Sequence, residues 1–176
     1  MPFFLLALVF ARPSAWLFGK GLALAFAGEL VRWASVAFSG PTTRSRSVEA
    51  EGLVTHGPYG IVRNPIYLGN FLVGLGMTLS SAALYPYLAL AFVALFWAEY
   101  TLIIVAEENY LAARFPEEFV DYCRRVHRIM PLPRRTIWRG GKWRTGLRSE
   151  RSTLLVNLGY YLALGLRVIL GVCIAR

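Results

Sequence analysis

The sequence predicts an all-α fold, a polytopic integral membrane bundle of about five membrane helices. Three observations predict it. Hydrophobic residues make up 56% of the 176-residue chain, against 16% charged. The apolar residues come in long runs, and a spanning helix needs roughly 20 mostly apolar residues in a row. Most of the net charge of +9 lies between Arg124 and Arg151, a stretch flanked by apolar runs. No aromatic-basic signature of an RNA or DNA reader stands beside it. The charge therefore fits a cytoplasmic loop facing anionic lipid, and nucleic acid is not expected as a partner. The length fits a single domain over 1–176.

Residues 1–38 form the N-terminal membrane region. Phe3 to Ala11 is apolar but too short to span as a straight helix, and Arg12-Pro13-Ser14 interrupts it, with Ser14 placed to cap the next helix. Gly21 to Phe38 is a better span. It carries Glu29 and Arg32, whose spacing of three sets them on one helical face as an ion pair that fixes register. Residues 39–64 are rich in Gly, Pro, Thr, Ser and Arg and read as an extramembrane loop.

Residues 65–106 read as a helical hairpin. The apolar stretches Pro65 to Ser81 and Tyr85 to Val105 are separated by the uncharged SSAALYP, so the two open ends share one side of the membrane. Arg63 at one end and the Arg-rich stretch beyond the other place that side in the cytoplasm. In the second stretch Glu99 stands beside Trp97 and Tyr100, where an intramembrane carboxylate is expected to find a partner such as Arg32 or to serve a site.

Residues 107–151 change pattern. Phe115-Pro116-Glu117-Glu118 has the form of a helix start, with proline at the first helical position and carboxylates in the first turn. Phe119, Tyr122, Cys123 and Val126 then recur at i, i+3, i+4 and i+7, which predicts an amphipathic helix capping the cytoplasmic face. Met130 to Ser152 reads as a basic, glycine-rich surface segment. Residues 152–176 supply the last membrane helix, Leu154 to Ile174. His56 and His127 are the two histidines and no His/Cys cluster has zinc spacing, so no metal site is expected.

The stretch VTHGPYGIVRNPIYLGN, residues 54 to 70, does not fit its apolar neighbours. Asn64-Pro65 alone makes sense as a helix cap and first turn. That leaves Arg63, Tyr67 and His56-Gly57-Pro58-Tyr59 unexplained, except as belt aromatics, snorkelling cations and turn residues. The hairpin brings its ends together, so Arg63 to Tyr67 are expected to face Glu107-Glu108. Cation, amide, phenol and carboxylates beside apolar walls suit a zwitterionic ligand, the carboxylates taking an ammonium and the arginine a carboxylate.

HGPYGIVRNPIYLGN, followed about forty residues later by EENYLAARFPEEFVDY, resembles the isoprenylcysteine carboxyl methyltransferases, their bacterial relatives and the phospholipid N-methyltransferases. The resemblance covers roughly residues 20 to 131. It implies a membrane enzyme with a cytoplasmic cofactor pocket, closed by the amphipathic helix, that binds S-adenosylmethionine and methylates a lipophilic acceptor: a phospholipid amine, an isoprenylcysteine-like carboxylate or a small hydrophobic molecule. Carried onto this chain, His56, Gly57, Pro58, Tyr59, Arg63, Pro65, Tyr67, Glu107 and Glu108 are the expected cofactor contacts. Arg63, Asn64 and Glu108 are the expected catalytic residues. Asn64 departs from the family pattern, which has His there, and an amide cannot take a proton at neutral pH. The resemblance therefore carries hydrogen bonding, and not general-base catalysis, to that position.

Two other readings use the same chain. One is a membrane reductase of similar architecture that binds NADPH, although no dinucleotide fingerprint is present. The other is a non-enzymatic scaffold whose basic loop binds anionic lipid. A bacterial inner membrane, with the site facing the cytoplasm, is the expected location.

Overall fold

Helices form where the apolar runs allow and stop where proline or a charge cluster intervenes. The computed structural model describes residues 2–40, 52–132 and 135–174, with side chains from 3 to 170 among these. Its elements are α1 (Pro2–Val9), α2 (Ala15–Ser39), a 3-10 turn (Gly57–Gly60), α3 (Pro65–Ser81), α4 (Tyr87–Arg114), α5 (Pro116–Arg125) and α6 (Trp143–Ile174). No strand occurs among the described residues. The N-terminal run is broken where Pro13 interrupts it, and the Leu17 N–H donates to Ser14 Oγ at 3.3 Å, an N-cap for α2.

Three helices are long and apolar enough to cross a membrane: Ala15–Ser39, Tyr87–Arg114 and Trp143–Leu170. The protein is a helical integral membrane protein. At 17 residues, α3 is about 26 Å long, a little short of the hydrocarbon thickness.

Two boundaries differ from the sequence expectation. The pattern change after Glu107-Glu108 does not end α4, which runs on to Arg114. Its last turns are made of good helix formers such as Leu111, Ala112, Ala113 and Arg114. The stop comes at Phe115, whose non-helical backbone (φ −133°, ψ 65°) precedes a proline, which disfavours the helical region at the residue before it. The second difference is larger: α6 begins at Trp143 rather than near Ser152, so half of the expected basic surface segment is helix. Glu150, the one acidic residue in this basic stretch, is buried against Arg32. Gly146 lets α6 approach α2, because a Cβ there would lie 3.0 Å from Ala37 backbone atoms.

The chain divides into two compact units, one of Met1–Glu29, Asn70–Trp97 and Ser152–Arg176 and one of Leu30–Gly69 and Ala98–Arg151. In the first, Val73 and Met77 of α3 pack with Tyr160 and Leu164 of α6, joined by Phe4, Leu8 and Phe18. Gly21 and Gly76 set the contact of α2 with α3, since a Cβ on Gly76 would come within 2.5 Å of Gly21 O. Asn157 of α6 donates to Glu29.

In the second unit Arg32 meets Glu150 at 2.5 Å. Glu29 and Arg32 thus each take a partner from α6. Glu99 is exposed on α4 rather than joined to Arg32. The amphipathic helix α5 buries Phe119, Tyr122 and Val126 against Leu53, Leu111, Ala112 and Phe115, while Asp121 and Arg125 pair on its outer side at 2.6 Å.

Candidate active site at the ends of α3 and α4

Every residue singled out for chemistry falls in the second unit. The 3-10 turn opens on Gly57, at φ +60°, where a Cβ would also sit 2.5 Å from ring atoms of Phe38. Glycine is required there on both counts. Phe38 is ringed by aromatic neighbours, His56 at 5.4 Å and Trp138 and Trp143 each at 5.7 Å between centroids.

After α5, residues 127–132 and 135–142 form a strap of two described pieces, held to the motif turn and to α2 by main-chain hydrogen bonds: Arg63 N–H to His127 O (2.9 Å), Leu132 N–H to Ile61 O (3.4 Å), Gly57 N–H to Ile137 O (2.9 Å) and Lys142 N–H to Ala37 O (2.7 Å). The part of the expected cofactor loop at residues 41–51 lies outside the described residues.

Tyr59 and Tyr122 lock α5 onto the turn. The Tyr122 O–H donates to Tyr59 O at 2.7 Å. Burial pushes both phenols above their ordinary range, with the nearby Arg63 opposing the rise at Tyr122 and a hydrogen bond with Ser39 opposing it at Tyr59. Both therefore stay neutral at physiological pH. Burial likewise raises the Cys123 thiol, against the pull of Arg63.

The polar cluster forms where the start of α3 meets α4. Asn64 Nδ2 donates to Glu108 Oε1 at 3.3 Å and to Arg128 O at 3.1 Å. Arg63 Nε lies 3.2 Å from the same Oε1, and Arg63 Nη1 donates to Cys123 O at 3.4 Å. That Nε is buried and is not aligned for a hydrogen bond. Arg128 donates to the other oxygen, Glu108 Oε2, from Nε at 2.9 Å and from Nη2 at 2.6 Å. Beside them the Tyr67 O–H donates to Glu107 Oε1 at 2.5 Å, with Tyr100 against the Tyr67 ring at 5.1 Å. Pro65 is buried at the first position of α3.

The structure thus joins Arg63 and Asn64 to Glu108, and Tyr67 to Glu107. His56, Gly57, Pro58 and Tyr59 form the adjoining turn, with His56 packed on Phe38. Sequence reading missed Arg128, which looks like any other arginine of a basic stretch, and Phe38, an apolar residue at the end of an apolar helix. Tyr122 was legible only as part of a helical stripe. Among the described residues no group of three His, Cys, Asp or Glu is set to hold a metal ion.

A sequence profile of the phospholipid methyltransferases matches residues 17–118. The chain belongs to the phospholipid methyltransferase family. The matched region runs from α2 through the motif turn to the start of α5. Curated proteins similar to this family member include the cobalt-zinc-cadmium resistance protein of Cupriavidus metallidurans, 37% identical over 122 residues, 68% of this chain and 49% of that protein. The nickel-cobalt-cadmium resistance protein of Alcaligenes xylosoxydans xylosoxydans is 36% identical over 143 residues, 80% of this chain and 55% of that protein. Protein-S-isoprenylcysteine O-methyltransferase B of Arabidopsis thaliana is 30% identical over 121 residues, 66% of this chain and 60% of that protein. This phospholipid methyltransferase family chain spans about half the length of the first two.

Proposed function

We propose that the protein transfers a methyl group from S-adenosylmethionine to a lipophilic acceptor at the cytoplasmic face of a bacterial inner membrane. The observation that carries this reading is the contact of Arg63 and Asn64 with Glu108, beside that of Tyr67 with the neighbouring Glu107. Opposite charges stand side by side where the start of α3 meets the later turns of α4, as the zwitterionic amino-acid half of S-adenosylmethionine requires. The buried Arg63 Nε without an aligned hydrogen bond marks a donor set not fully used within the protein, and it fits such a ligand.

When bound, S-adenosylmethionine supplies an electrophilic methyl on a sulfonium, transferred by in-line displacement. This chain's residues have to bind, orient and exclude water, which provides much of the acceleration of such a reaction. The cluster around Arg63 and the Glu107-Glu108 pair receives the charged half, and the turn His56 to Tyr59 lines the cofactor loop. Asn64 acts as a neutral donor that holds Glu108 and Arg128 in register rather than as a base. A carboxylate acceptor needs no base, whereas an ammonium acceptor must lose its proton before it attacks.

The full topology in this reading has about five membrane helices, with α3 and α4 as the hairpin and α5 closing the pocket on the cytoplasmic side. The acceptor is a phospholipid amine, an isoprenylcysteine-like carboxylate or a small hydrophobic molecule. The test is calorimetric titration of the detergent-purified protein with S-adenosylhomocysteine, followed by transfer of labelled methyl from S-adenosylmethionine into a membrane lipid extract. Saturable binding that is lost in Arg63→Ala is the expected result. A folded wild-type protein that gives no heat of binding sinks the reading.

A further inference from the structure

Glu108 is the hub of the polar cluster, and its contacts leave little for a ligand. Its side chain is 10% exposed, and both of its oxygens are engaged. Oε1 faces Arg63 and Asn64, while Oε2 takes two hydrogen bonds from Arg128. An ammonium approaching Glu108 would find the oxygens filled and two guanidinium cations within about 3 Å, where like charges repel strongly in a partly buried site. Glu107 is different. It is exposed, and Tyr67 donates to one of its oxygens.

Arg128 has the complementary character. Its side chain is 47% exposed against 12% for Arg63, and it uses its Nε and one Nη2 hydrogen on Glu108. A guanidinium carries five N–H donors, so the edge that includes Nη1 is left for an anion. Arginine is suited to this task because its planar fork matches a carboxylate and keeps its charge at every physiological pH.

We propose that Arg128 binds the carboxylate of the methyl donor's amino-acid half, that Glu107 with Tyr67 binds its ammonium, and that Glu108 is a positioning residue that aims Arg128 and Arg63. The proposal rests on the methyl-donor reading above and divides its acidic pair into two roles. The charges balance: Arg63 and Arg128 are offset by Glu107 and Glu108, so the cluster is neutral overall but polarised, cationic around Glu108 and anionic at Glu107. A zwitterion fits this arrangement in one orientation.

The experiment compares two ligands on the full-length protein in detergent: S-adenosylhomocysteine and its decarboxylated analogue, which keeps the amine and lacks the carboxylate. Wild type is expected to bind both, the first more tightly. Arg128→Ala weakens S-adenosylhomocysteine by about 10- to 100-fold, the scale of a hydrogen bond to a charged group, and changes the analogue by less than about twofold. Arg128→Lys recovers part of the loss. Glu108→Gln follows the Arg128→Ala pattern, because it releases the arginine. Glu107→Gln weakens both ligands.

If Arg128→Ala weakens both ligands equally, or neither, the carboxylate assignment is overturned. If Glu108→Gln weakens both and Glu107→Gln weakens neither, Glu108 is the ammonium ligand and the division of roles is overturned. Circular dichroism on each variant guards against misfolding. Should the buried Glu108 variant fail to fold, the exposed Arg128 and Glu107 variants still decide the matter. Wild type that binds neither ligand removes the methyl-donor reading itself, an outcome distinct from the others.

Discussion

Arg32 of α2 and Glu150 of α6, 118 positions apart, meet at 2.5 Å with only 14% and 1% of their side chains exposed. Such a pair is costly to break, because the remaining charge is left buried, yet it is readily replaced by apolar residues of similar volume. Arg32→Ala or Glu150→Ala is expected to destabilise the protein by about 3–5 kcal/mol. The double variant Arg32→Met with Glu150→Leu is expected to stay close to wild type. Thermal unfolding in one detergent checks both, and a double variant as unstable as the single ones would show that the pair holds more than its own charge.

Tyr122 fastens α5 to the motif turn through one hydrogen bond, to Tyr59 O. Tyr122→Phe keeps the packing among Phe119 and Val126 but removes that bond, at a cost of about 1 kcal/mol. Chemical unfolding followed by circular dichroism measures it. Because the turn carries the proposed cofactor contacts, affinity for S-adenosylhomocysteine should fall in the same variant.

Burial raises the Tyr122 phenol above the ordinary tyrosine range of about 10. The folded state therefore holds this proton more tightly than the unfolded state does. The resulting stability is fully present below about pH 10 and is lost as pH rises beyond it, because the unfolded chain ionises first. Each such group contributes a slope of about 1.4 kcal/mol per pH unit in that window. Melting curves from pH 8 to 11 should therefore decline less steeply in Tyr122→Phe than in wild type; parallel curves would refute the assignment.

Gly57 meets two demands, a left-handed backbone and the Phe38 ring. Gly57→Ala is expected to cost about 1–3 kcal/mol through the clash and the strained φ. It should also loosen the strap, whose Ile137 carbonyl receives the Gly57 N–H. Amide hydrogen exchange across residues 56–63 and 135–142 reads this directly, and unchanged protection in a folded variant would mean that the strap does not depend on the turn.

The helices were legible because their signals are local. Apolar length marks α2 and α4, proline marks the first turns of α3 and α5, and the stripe of Phe119, Tyr122 and Val126 marks the buried face of α5. The start of α6 was not legible, because Trp143 to Ser152 belongs to a basic, glycine-rich stretch that looks like surface, although in the fold it buries Glu150 against Arg32. The candidate site was named by composition and by resemblance: the motif and its spacing single out Arg63, Asn64, Tyr67, Glu107 and Glu108, and the fold sets Arg63 and Asn64 on Glu108 and Tyr67 on Glu107.

By itself, then, the sequence determined that this chain is a membrane-embedded helical protein of a methyltransferase family, with its polar residues concentrated at one motif. Hydropathy and motif spacing are written along the chain and need no partner to be read. Only the tertiary structure decided how the charges divide: that Glu108 is filled by Arg63, Asn64 and Arg128, that Glu107 has a tyrosine for a neighbour, and that part of the basic segment bonds to the motif turn while part is helix. Electrostatic roles depend on distances between residues far apart in sequence. An arginine of a basic stretch and an arginine in contact with a buried carboxylate are the same letter until the chain folds.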